Sequence, residues 1–265
     1  MAKLTNIFNN RRSWAAPYAL FLVLFVVLPL IMIVFYAFHD ASGTFTVHNF
    51  TKFFTTNTDL NRFIYSIGIA IITTLICILL GYPAAYIMAS AEFNTPKVMA
   101  ILFILPMWVN FLLRTIATAE LFSMLGLPLR EGALLFGMVY DFLPFMIYPI
   151  YNTIQKLDNS YLEAARDLGA TPLQVFTKVT LPLSMPGIYS GIVMVFMPTV
   201  STFAISEILT ENNIHLFGTT IQESINSGTM LNYGAALSLI MLVIIGITSL
   251  IGNNDNSESR EGGLL

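Results

Sequence analysis

The sequence predicts an all-α integral membrane protein with six transmembrane helices. Of its 265 residues, 56% are hydrophobic and only 10% are charged, whereas soluble domains carry about 25% charged residues. The apolar residues form long continuous runs, close to the roughly 20 residues that a spanning helix needs. They do not form the short alternating segments that are typical of transmembrane barrels. A bundle of spanning helices is therefore expected.

Six segments are long and apolar enough to cross the membrane. In chain order they are Ala15–Phe38, Phe63–Met88, Val98–Ser123, Ala133–Thr153, Met185–Ile208 and Leu231–Ile251. The first segment is too long for a signal peptide and no small-residue cleavage site follows it closely, so an uncleaved anchor is expected. The segment Asp40–Arg62 contains a strand-like fragment, TFTV, that can contribute to a small cap.

Basic residues predict the orientation of these spans. Cytoplasmic loops are rich in Lys and Arg, and the observed distribution favours cytoplasmic N- and C-termini. The basic residues then on the inside are Lys3, Arg11, Arg12, Lys97, Lys156, Arg166, Lys178 and Arg260; those on the outside are Lys52, Arg62 and Arg130. We expect a cytoplasmic segment 1–14, a six-span domain 15–251 with a polar loop 156–183, and a disordered cytoplasmic tail 252–265.

Several functional classes lack their usual sequence signals. Cys77 is the only cysteine, so no disulfide framework is expected. The sequence has neither a zinc-type His/Cys cluster nor a GxxxxGK[ST] phosphate-binding loop. A membrane-embedded enzyme would need a nucleophile–base or metal constellation, which the polar segments lack. We expect no metal site, no bound cofactor and no nucleic-acid partner.

The polar loop between the fourth and fifth spans contains signals for two short helices. Ser160-x-x-Glu163 and Thr171-x-x-Gln174 both have the spacing of a helix-starting capping box. Gly169 lies between them, where a left-handed helix stop favours glycine. The loop is therefore predicted to be a helix, a glycine turn and a second helix, followed by Pro182 and Pro186 at the start of the fifth span. The capping signals by themselves fit an ordinary structured loop as well as they fit a loop that binds a partner.

The same loop resembles the EAA loop of the permeases of ABC importers. That motif, EAA-x3-G-x9-I-x-LP, is matched by Glu163-Ala164-Ala165, Gly169 and Leu181-Pro182, with Val179 in place of isoleucine. The resemblance implies a type I ABC-importer permease fold, in which this loop forms a coupling helix that docks on a cytoplasmic ATPase dimer. It assigns ATPase coupling to Glu163, Ala164, Ala165 and Gly169, and the use of ATP and Mg²⁺ to the partner ATPase.

The resemblance extends to polyamine permeases. The segment Pro106–Arg114 (PMWVNFLLR) is similar to their P-[FW]-x-x-N-x-L-x-R signature, with Met107 at the position of Phe or Trp. The segments Tyr148–Tyr151 (YPIY) and Tyr233–Ala236 (YGAA) are also similar. The chain is most similar to the B-type subunit of spermidine/putrescine permeases. This implies a second, related permease subunit and an extracytoplasmic polyamine-binding receptor as partners. It does not separate spermidine from putrescine.

Two opposite charges are predicted to pair inside the membrane. Arg114 and Asp141 lie at similar depths in successive antiparallel spans, and isolated membrane charges are costly. An ion pair between them can act as a structural clamp. Alternatively, Asp141 is a carboxylate of the substrate pathway that exchanges Arg114 for a substrate ammonium. Asn110 lies one helical turn from Arg114 and can join this network.

Further pathway candidates are acidic or aromatic. Glu120 and Glu207 lie near the outer ends of their spans, and the following segment 209–230 carries acidic residues but no Lys or Arg. Such a surface attracts polycations, although outer loops generally lack basic residues. Trp108, Tyr140 and Tyr148 can stack on ammonium groups, although packing and interfacial belts explain most aromatic residues in membrane proteins.

Two alternatives remain for a transport protein. A permease of the same architecture can carry another solute, such as an anion or a metal chelate. A self-contained carrier or channel is disfavoured by the polar loop and by the absence of an inverted repeat.

Overall fold

The computed structural model describes residues 16–89, 103 and 105–261 of the chain. Within them the structure is helical, and the only β-type contact is an antiparallel bridge between His39 and Phe45. The all-α fold class is thus confirmed, and the strand-like TFTV segment contributes that bridge alone. The predicted cytoplasmic segment 1–14 lies outside the described residues.

Ten helices, numbered in chain order, make up most of the described residues. They are α1 (16–37), α2 (His48–Thr55), α3 (Asn57–Ala89), α4 (Phe111–Met124), α5 (Glu131–Gln155), α6 (Asn159–Asp167), α7 (Pro172–Ser201), α8 (Ala204–Leu209), α9 (Phe217–Asn226) and α10 (Leu231–Glu261). Helices α1 and α7 each contain one π-helical turn, at Val23–Val27 and Phe176–Thr180.

Among the described residues, five helices are long and apolar enough to cross a membrane. They are Pro17–Ala37, Asn57–Ala89, Glu131–Gln155, Pro172–Ser201 and Leu231–Leu250. The remaining predicted span, Val98–Ser123, falls partly outside the described residues. Its described portion is a 3₁₀ turn at Leu105–Trp108 followed by α4. The total of six spans therefore stays a prediction.

The fifth span differs from its prediction at both ends. Instead of Met185–Ile208, the helix begins at Pro172, inside the polar loop, and ends at Ser201. The π-helical turn lies directly ahead of Pro182, whose ring a regular α-turn would press against the carbonyl four residues earlier. Thr202 then leaves the helix with extended backbone (ψ 146°), and the chain restarts as α8.

The C-terminal helix also extends beyond its predicted limit. Helix α10 continues to Glu261, whereas the segment 252–265 was predicted to be a disordered tail. The stretch 253–261 contains no proline or glycine, and it directly continues the helix formed by the apolar segment before it. The remaining tail residues, 262–265, lie outside the described residues.

Backbone contacts divide the chain into two compact units. The first unit comprises Met1–Asn57 and Ile221–Leu242. Its described core joins Ala37, at the end of α1, to Ala235 and Ala236 of α10. The Asn49 side chain donates hydrogen bonds to the carbonyls of Ala37 (3.0 Å) and His39 (3.1 Å), which holds α2 against the end of α1.

The second unit comprises Thr58–Thr220 and Val243–Leu265. Its most extensive helix–helix packing is between α5 and α7. One cluster of buried side chains combines Met146 and Ile150 of α5 with Val195 of α7. Another combines Leu134 and Met138 of α5 with residues of α8 and with Leu216. Helix α5 is therefore the central element of this unit.

Helices α5 and α7 approach closely because α7 has glycine at the contact. A Cβ atom on Gly187 would lie 2.6 Å from Thr153 Oγ1 and 2.9 Å from the Pro149 carbonyl oxygen. On Gly191 it would lie 2.6 Å from Met146 Sδ. The spacing Gly187-x-x-x-Gly191 is typical of close helix contacts in membranes.

Candidate functional site

The polar loop begins with a helix that is capped by Asp158. The Asp158 carboxylate accepts a hydrogen bond from the Ser160 backbone N–H at 3.0 Å. This hydrogen bond lowers the pKa of the exposed Asp158 carboxyl, so the cap is present at neutral pH and is lost as the pH falls through that lowered value. The predicted capping box of Ser160 and Glu163 is wrong, because Asp158 starts the helix two residues earlier. Glu163 is therefore left on the exposed surface of α6.

Gly169 ends α6 in the way that the sequence predicts. Its φ is +80°, in the left-handed region that favours glycine. The Gly169 N–H donates to the Arg166 carbonyl at 2.9 Å, and the Ala170 N–H donates to the Ala165 carbonyl at 3.1 Å. These bonds satisfy carbonyl groups that the end of a helix leaves open. A Cβ atom on Gly169 would meet nothing within 4 Å.

The second helix of the loop starts with the predicted capping box. The Gln174 N–H donates to Thr171 Oγ1 at 3.4 Å, and the Thr171 N–H donates to Gln174 Oε1 at 2.9 Å. Pro172 occupies the first helical turn, where its missing N–H has no cost. Because α7 continues from this cap into the membrane-spanning segment, the second helix of the loop and the span form one continuous helix.

The loop presents large apolar side chains to its surroundings. Leu168 is 89% exposed and Leu173 is 71% exposed. Tyr161 is also exposed, as are Glu163 and Ala164, while Ala165 is half-buried. We call these residues, with Gly169, the coupling surface. Exposed apolar side chains that form a contiguous patch mark a surface for contact with another protein or with a membrane.

A second site lies between α4 and α5 in the second unit. The predicted ion pair is present: Arg114 Nε lies 3.3 Å from Asp141 Oδ1. Both side chains are buried, at 7% and 1% exposure. Neither of these two atoms makes a hydrogen bond, and Arg114 Nη1 makes none either. The contact is therefore a close approach of charges without the directed hydrogen bonds of a strong pair.

Two neighbours complete the surroundings of this pair. Thr115 Oγ1 lies within hydrogen-bond distance of two acceptors, Asp141 Oδ2 at 3.0 Å and the Phe111 carbonyl oxygen at 2.9 Å. The single hydroxyl proton of Thr115 is shared between them. The ring of Tyr140 faces Arg114, with its centroid 5.7 Å from the guanidinium carbon. Tyr140 is 42% exposed. The pair thus lies behind a reachable aromatic ring.

Thr115 was missed in the sequence analysis. The sequence signal for Thr115 is its position next to Arg114, the predicted partner of Asp141. The buried Asp141 carboxylate needs hydrogen-bond donors, and a hydroxyl beside its partner can supply one. Asn110 was a candidate for the same network, but its side-chain oxygen instead accepts from the Leu112 N–H at 2.8 Å and caps α4.

The other pathway candidates make no described contact with the ion pair. Among the described contacts, none connects Trp108, Glu120, Tyr148 or Glu207 to Arg114 or Asp141. Trp108 is 87% exposed. Glu120 and Tyr148 are also exposed, and Glu207 is half-buried in α8. No group of three or more His, Cys, Asp or Glu residues in the described part of the chain is arranged to hold a metal ion.

A cavity of about 940 Å³ opens beside the segment that connects α4 and α5. It is lined by Arg130 and Glu131 on one side and by Glu211 and Asn213 on the other. Glu211 belongs to the acidic segment 209–230 that the sequence analysis singled out. The cavity is lined by both positive and negative side chains. The positive charge of Arg130 therefore reduces the attraction of its carboxylates for polycations.

The long apolar helices are those of a multi-pass membrane protein, and comparison with known proteins identifies it as a permease of the ABC-importer type. Residues 12–260 match the family described as "Binding-protein-dependent transport system inner membrane component". The chain belongs to this family and is a multi-pass membrane protein.

Individual proteins give a narrower comparison. The chain is 34% identical over 253 residues to the spermidine/putrescine transport system permease protein PotB of Escherichia coli (strain K12), covering 87% of this chain and 92% of that protein. It is 26% identical over 201 residues to the permease protein PotC of the same strain, covering 75% and 76%.

Among solved structures, the fold resembles a bacterial ABC transporter involved in the import of the acidic polysaccharide alginate. The TM-score is 0.66 at 16% identity, with 96% of this chain and 99% of that chain covered. At this identity the likeness concerns the fold alone, and it confirms a type I ABC-importer permease architecture.

Proposed function

We propose that the chain is a permease subunit of an ATP-driven importer of polyamines. In this role it passes spermidine or putrescine from an extracytoplasmic receptor to the cytoplasm. The observation that carries the proposal is the 34% identity to a spermidine/putrescine permease over 87% of the chain. The coupling surface supports the ATP-driven part, because its exposed Leu168 and Leu173 are available for contact with another protein.

The proposed partner at the coupling surface is a separate ATPase dimer, which uses ATP and Mg²⁺. Glu163, Ala164, Ala165 and Gly169 are the residues proposed to contact it. Ala164 and Ala165 keep α6 slim, so another protein can approach the helix closely. This chain itself binds no cofactor in the proposal and does not hydrolyse ATP.

A second permease subunit is proposed as the partner within the membrane. The similarity to both PotB and PotC of one bacterial strain supports this, since that strain has two related permease proteins. An extracytoplasmic polyamine-binding receptor is the third proposed partner. The proposed orientation, with both termini in the cytoplasm of a bacterial cell, follows from the Lys and Arg distribution.

The alternative is a permease of the same architecture for an anion or a metal chelate. The fold does not separate these solutes, because a protein of the same fold takes part in the import of an acidic polysaccharide. The chain's own charges favour a cation: Glu120, Asp141 and Glu207 lie in helices that were predicted to span, against Arg114 alone.

The test is uptake of radiolabelled spermidine and putrescine by cells that lack their own polyamine importers. The chain is expressed with its chromosomal neighbours, as wild type and as Glu163→Arg. We expect uptake by the wild type in energised cells and loss of uptake with Glu163→Arg, which reaches the membrane normally. Thr58→Arg is the control, since it adds a cation at an exposed position of α3 outside the loop.

Each negative result has a separate meaning. If the wild-type system is inserted but transports neither polyamine, the polyamine assignment is wrong and other solutes are screened. If Glu163→Arg transports as well as the wild type, the coupling role of this residue is wrong.

A further inference from the structure

Arg114 occupies surroundings that suit any organic cation. The Asp141 carboxylate supplies a negative charge, and the Tyr140 ring presents its face at 5.7 Å from the guanidinium carbon. A carboxylate beside an aromatic face is also what a protein offers to an alkylammonium ligand. The guanidinium of Arg114 thus stands where a substrate ammonium would be stabilised by the same groups.

The ion pair of Arg114 and Asp141 also lacks the hydrogen bonds that a permanent buried clamp would need. A buried ion pair offsets the loss of hydration only with good geometry and with its remaining donors and acceptors satisfied. Here Arg114 Nε and Nη1 and Asp141 Oδ1 are buried without hydrogen bonds. One oxygen of Asp141 is fixed by Thr115, while the other keeps a free acceptor direction.

Tyr140 is the exposed member of this cluster. Arg114 and Asp141 are almost completely enclosed, but Tyr140, which covers the guanidinium, is 42% exposed. A rotation of the Arg114 side chain away from Asp141 Oδ1 would leave that carboxylate oxygen available to another cation.

We propose that Asp141 binds a substrate ammonium group and that Arg114 competes with the substrate for this carboxylate. Substrate binding releases Arg114 from Asp141, and the return of Arg114 displaces the ammonium again. This inference rests on the proposed function, because it takes the substrate to be a polyamine. Thr115 positions the carboxylate by holding its second oxygen.

The competition predicts opposite effects of the two single substitutions on KM. Asp141→Asn removes the charge that binds the ammonium, so the KM for spermidine is expected to rise about 10- to 100-fold. Arg114→Gln removes the competing cation, so KM is expected to fall several-fold, and the maximal rate falls because displacement of the substrate is slower. Arg114→Lys keeps a competing cation, so its KM stays close to that of the wild type.

Uptake is measured as a function of spermidine concentration in the cells described above and is divided by the amount of the chain in the membrane. Each single neutral variant leaves one buried charge without its partner, so its membrane level is expected to fall. The double variant Arg114→Gln with Asp141→Asn removes both charges. Its membrane level is expected to recover, while its KM stays at least 10-fold raised.

The outcomes separate this inference from the proposed function. If the double variant regains wild-type KM along with its membrane level, the pair is a clamp and the inference is wrong. Single variants that change KM in the same direction contradict it as well. If the single variants do not reach the membrane, the KM of the double variant is the remaining test. A KM raised at least 10-fold supports the inference, and a wild-type KM contradicts it. A wild-type system that is inserted but takes up no polyamine overturns both the inference and the proposed function.

Discussion

Gly169 shows how much a single residue determines in the polar loop. It is one of four glycines in the described residues with positive φ, and it separates the last turn of α6 from the capping box of α7. A residue with a side chain at this φ costs roughly 1–2 kcal/mol. The turn sets the direction of α6 relative to the start of α7, and therefore how the coupling surface is presented.

At this scale we predict that Gly169→Asp abolishes association with the partner ATPase while membrane insertion stays normal. The substitution strains the turn and places a carboxylate on the coupling surface. Ala165→Arg is expected to act in the same way, through bulk and charge on the half-buried side of α6. Co-purification of the ATPase with the tagged chain measures both effects.

Gly43 offers a matched control for Gly169→Asp. Its φ is +77°, and a Cβ atom there would also meet nothing within 4 Å, but it lies in the segment between α1 and α2. Gly43→Asp should therefore introduce the same backbone strain and leave ATPase association intact. If both variants lose the ATPase equally, general destabilisation and not the coupling turn is responsible.

At the scale of the element, the cap of α7 stabilises the first turn of a long helix. Thr171→Ala removes one side of the capping box, and loss of such a cap costs about 1 kcal/mol. We expect faster hydrogen exchange at the amides of 173–176 while the membrane-spanning part of α7 stays protected. The loss should not extend far, because capping acts on the first turn.

Thr177→Ala is the control for the capping prediction. The Thr177 hydroxyl donates to the Leu173 carbonyl within the same helix, so its removal deletes a hydroxyl but not a cap. Little change in exchange at 173–176 is expected for this variant. Equal acceleration in both variants would contradict the role of Thr171.

The contact between α5 and α7 allows a second prediction for an element. Gly187→Ala places a methyl group against the Pro149 carbonyl and Thr153, and overpacking of this kind typically costs 1–3 kcal/mol. A lower thermal unfolding temperature of the detergent-solubilised protein is therefore expected. Gly246→Ala in α10, where a Cβ atom meets nothing within 4 Å, should leave that temperature unchanged or raise it slightly.

The sequence allows prediction of these elements where a signal is local. Gly169 and the box of Thr171 with Gln174 are correct because a turn and a cap depend on a few neighbouring residues. The prediction of a capping box formed by Ser160 and Glu163 is wrong because Asp158 is an equally good N-cap. Asp158 lies two residues earlier, and the helix starts there. The continuity of α7 was missed because Pro182 reads as a helix boundary unless the π-helical turn before it is known.

The candidate site also has one part that the sequence predicts and another that depends on the packing of the helices. The pairing of Arg114 with Asp141 follows from the cost of isolated membrane charges, so it is predictable from their positions alone. The contributions of Thr115 and Tyr140 depend on how α4 and α5 face each other, and the sequence does not specify that rotation. The role of Asn110 as a cap was missed because its distance from Arg114 fits both interpretations.

At the scale of the whole molecule, the orientation in the membrane is open to a direct test. Because Cys77 is buried and is the only cysteine, single cysteines can be added without removing others. We expect a cysteine at Ser160 to react with a membrane-impermeant maleimide only after the cells are permeabilised. A cysteine at Ser227 should react in intact spheroplasts, because the basic residues place the segment 209–230 outside.

The wild-type chain provides the background for this labelling experiment, since the buried Cys77 is expected to stay unlabelled. Labelling of Ser160→Cys from outside would contradict the assigned orientation. It would also exclude a cytoplasmic ATPase as the partner of the coupling surface. Equal labelling at both positions would indicate that the membrane is not sealed.

The continuity of α7 has a mechanical consequence. A helix of 30 residues is about 45 Å long. If such a rod pivots at its first turn, a tilt of about 10° displaces its far end by about 8 Å. The break at Thr202 is where such a swing would be absorbed, since the helix stops there and α8 is a separate, buried segment. In such a motion the turn with the capping box is the pivot, and the displacement grows along the helix toward Ser201.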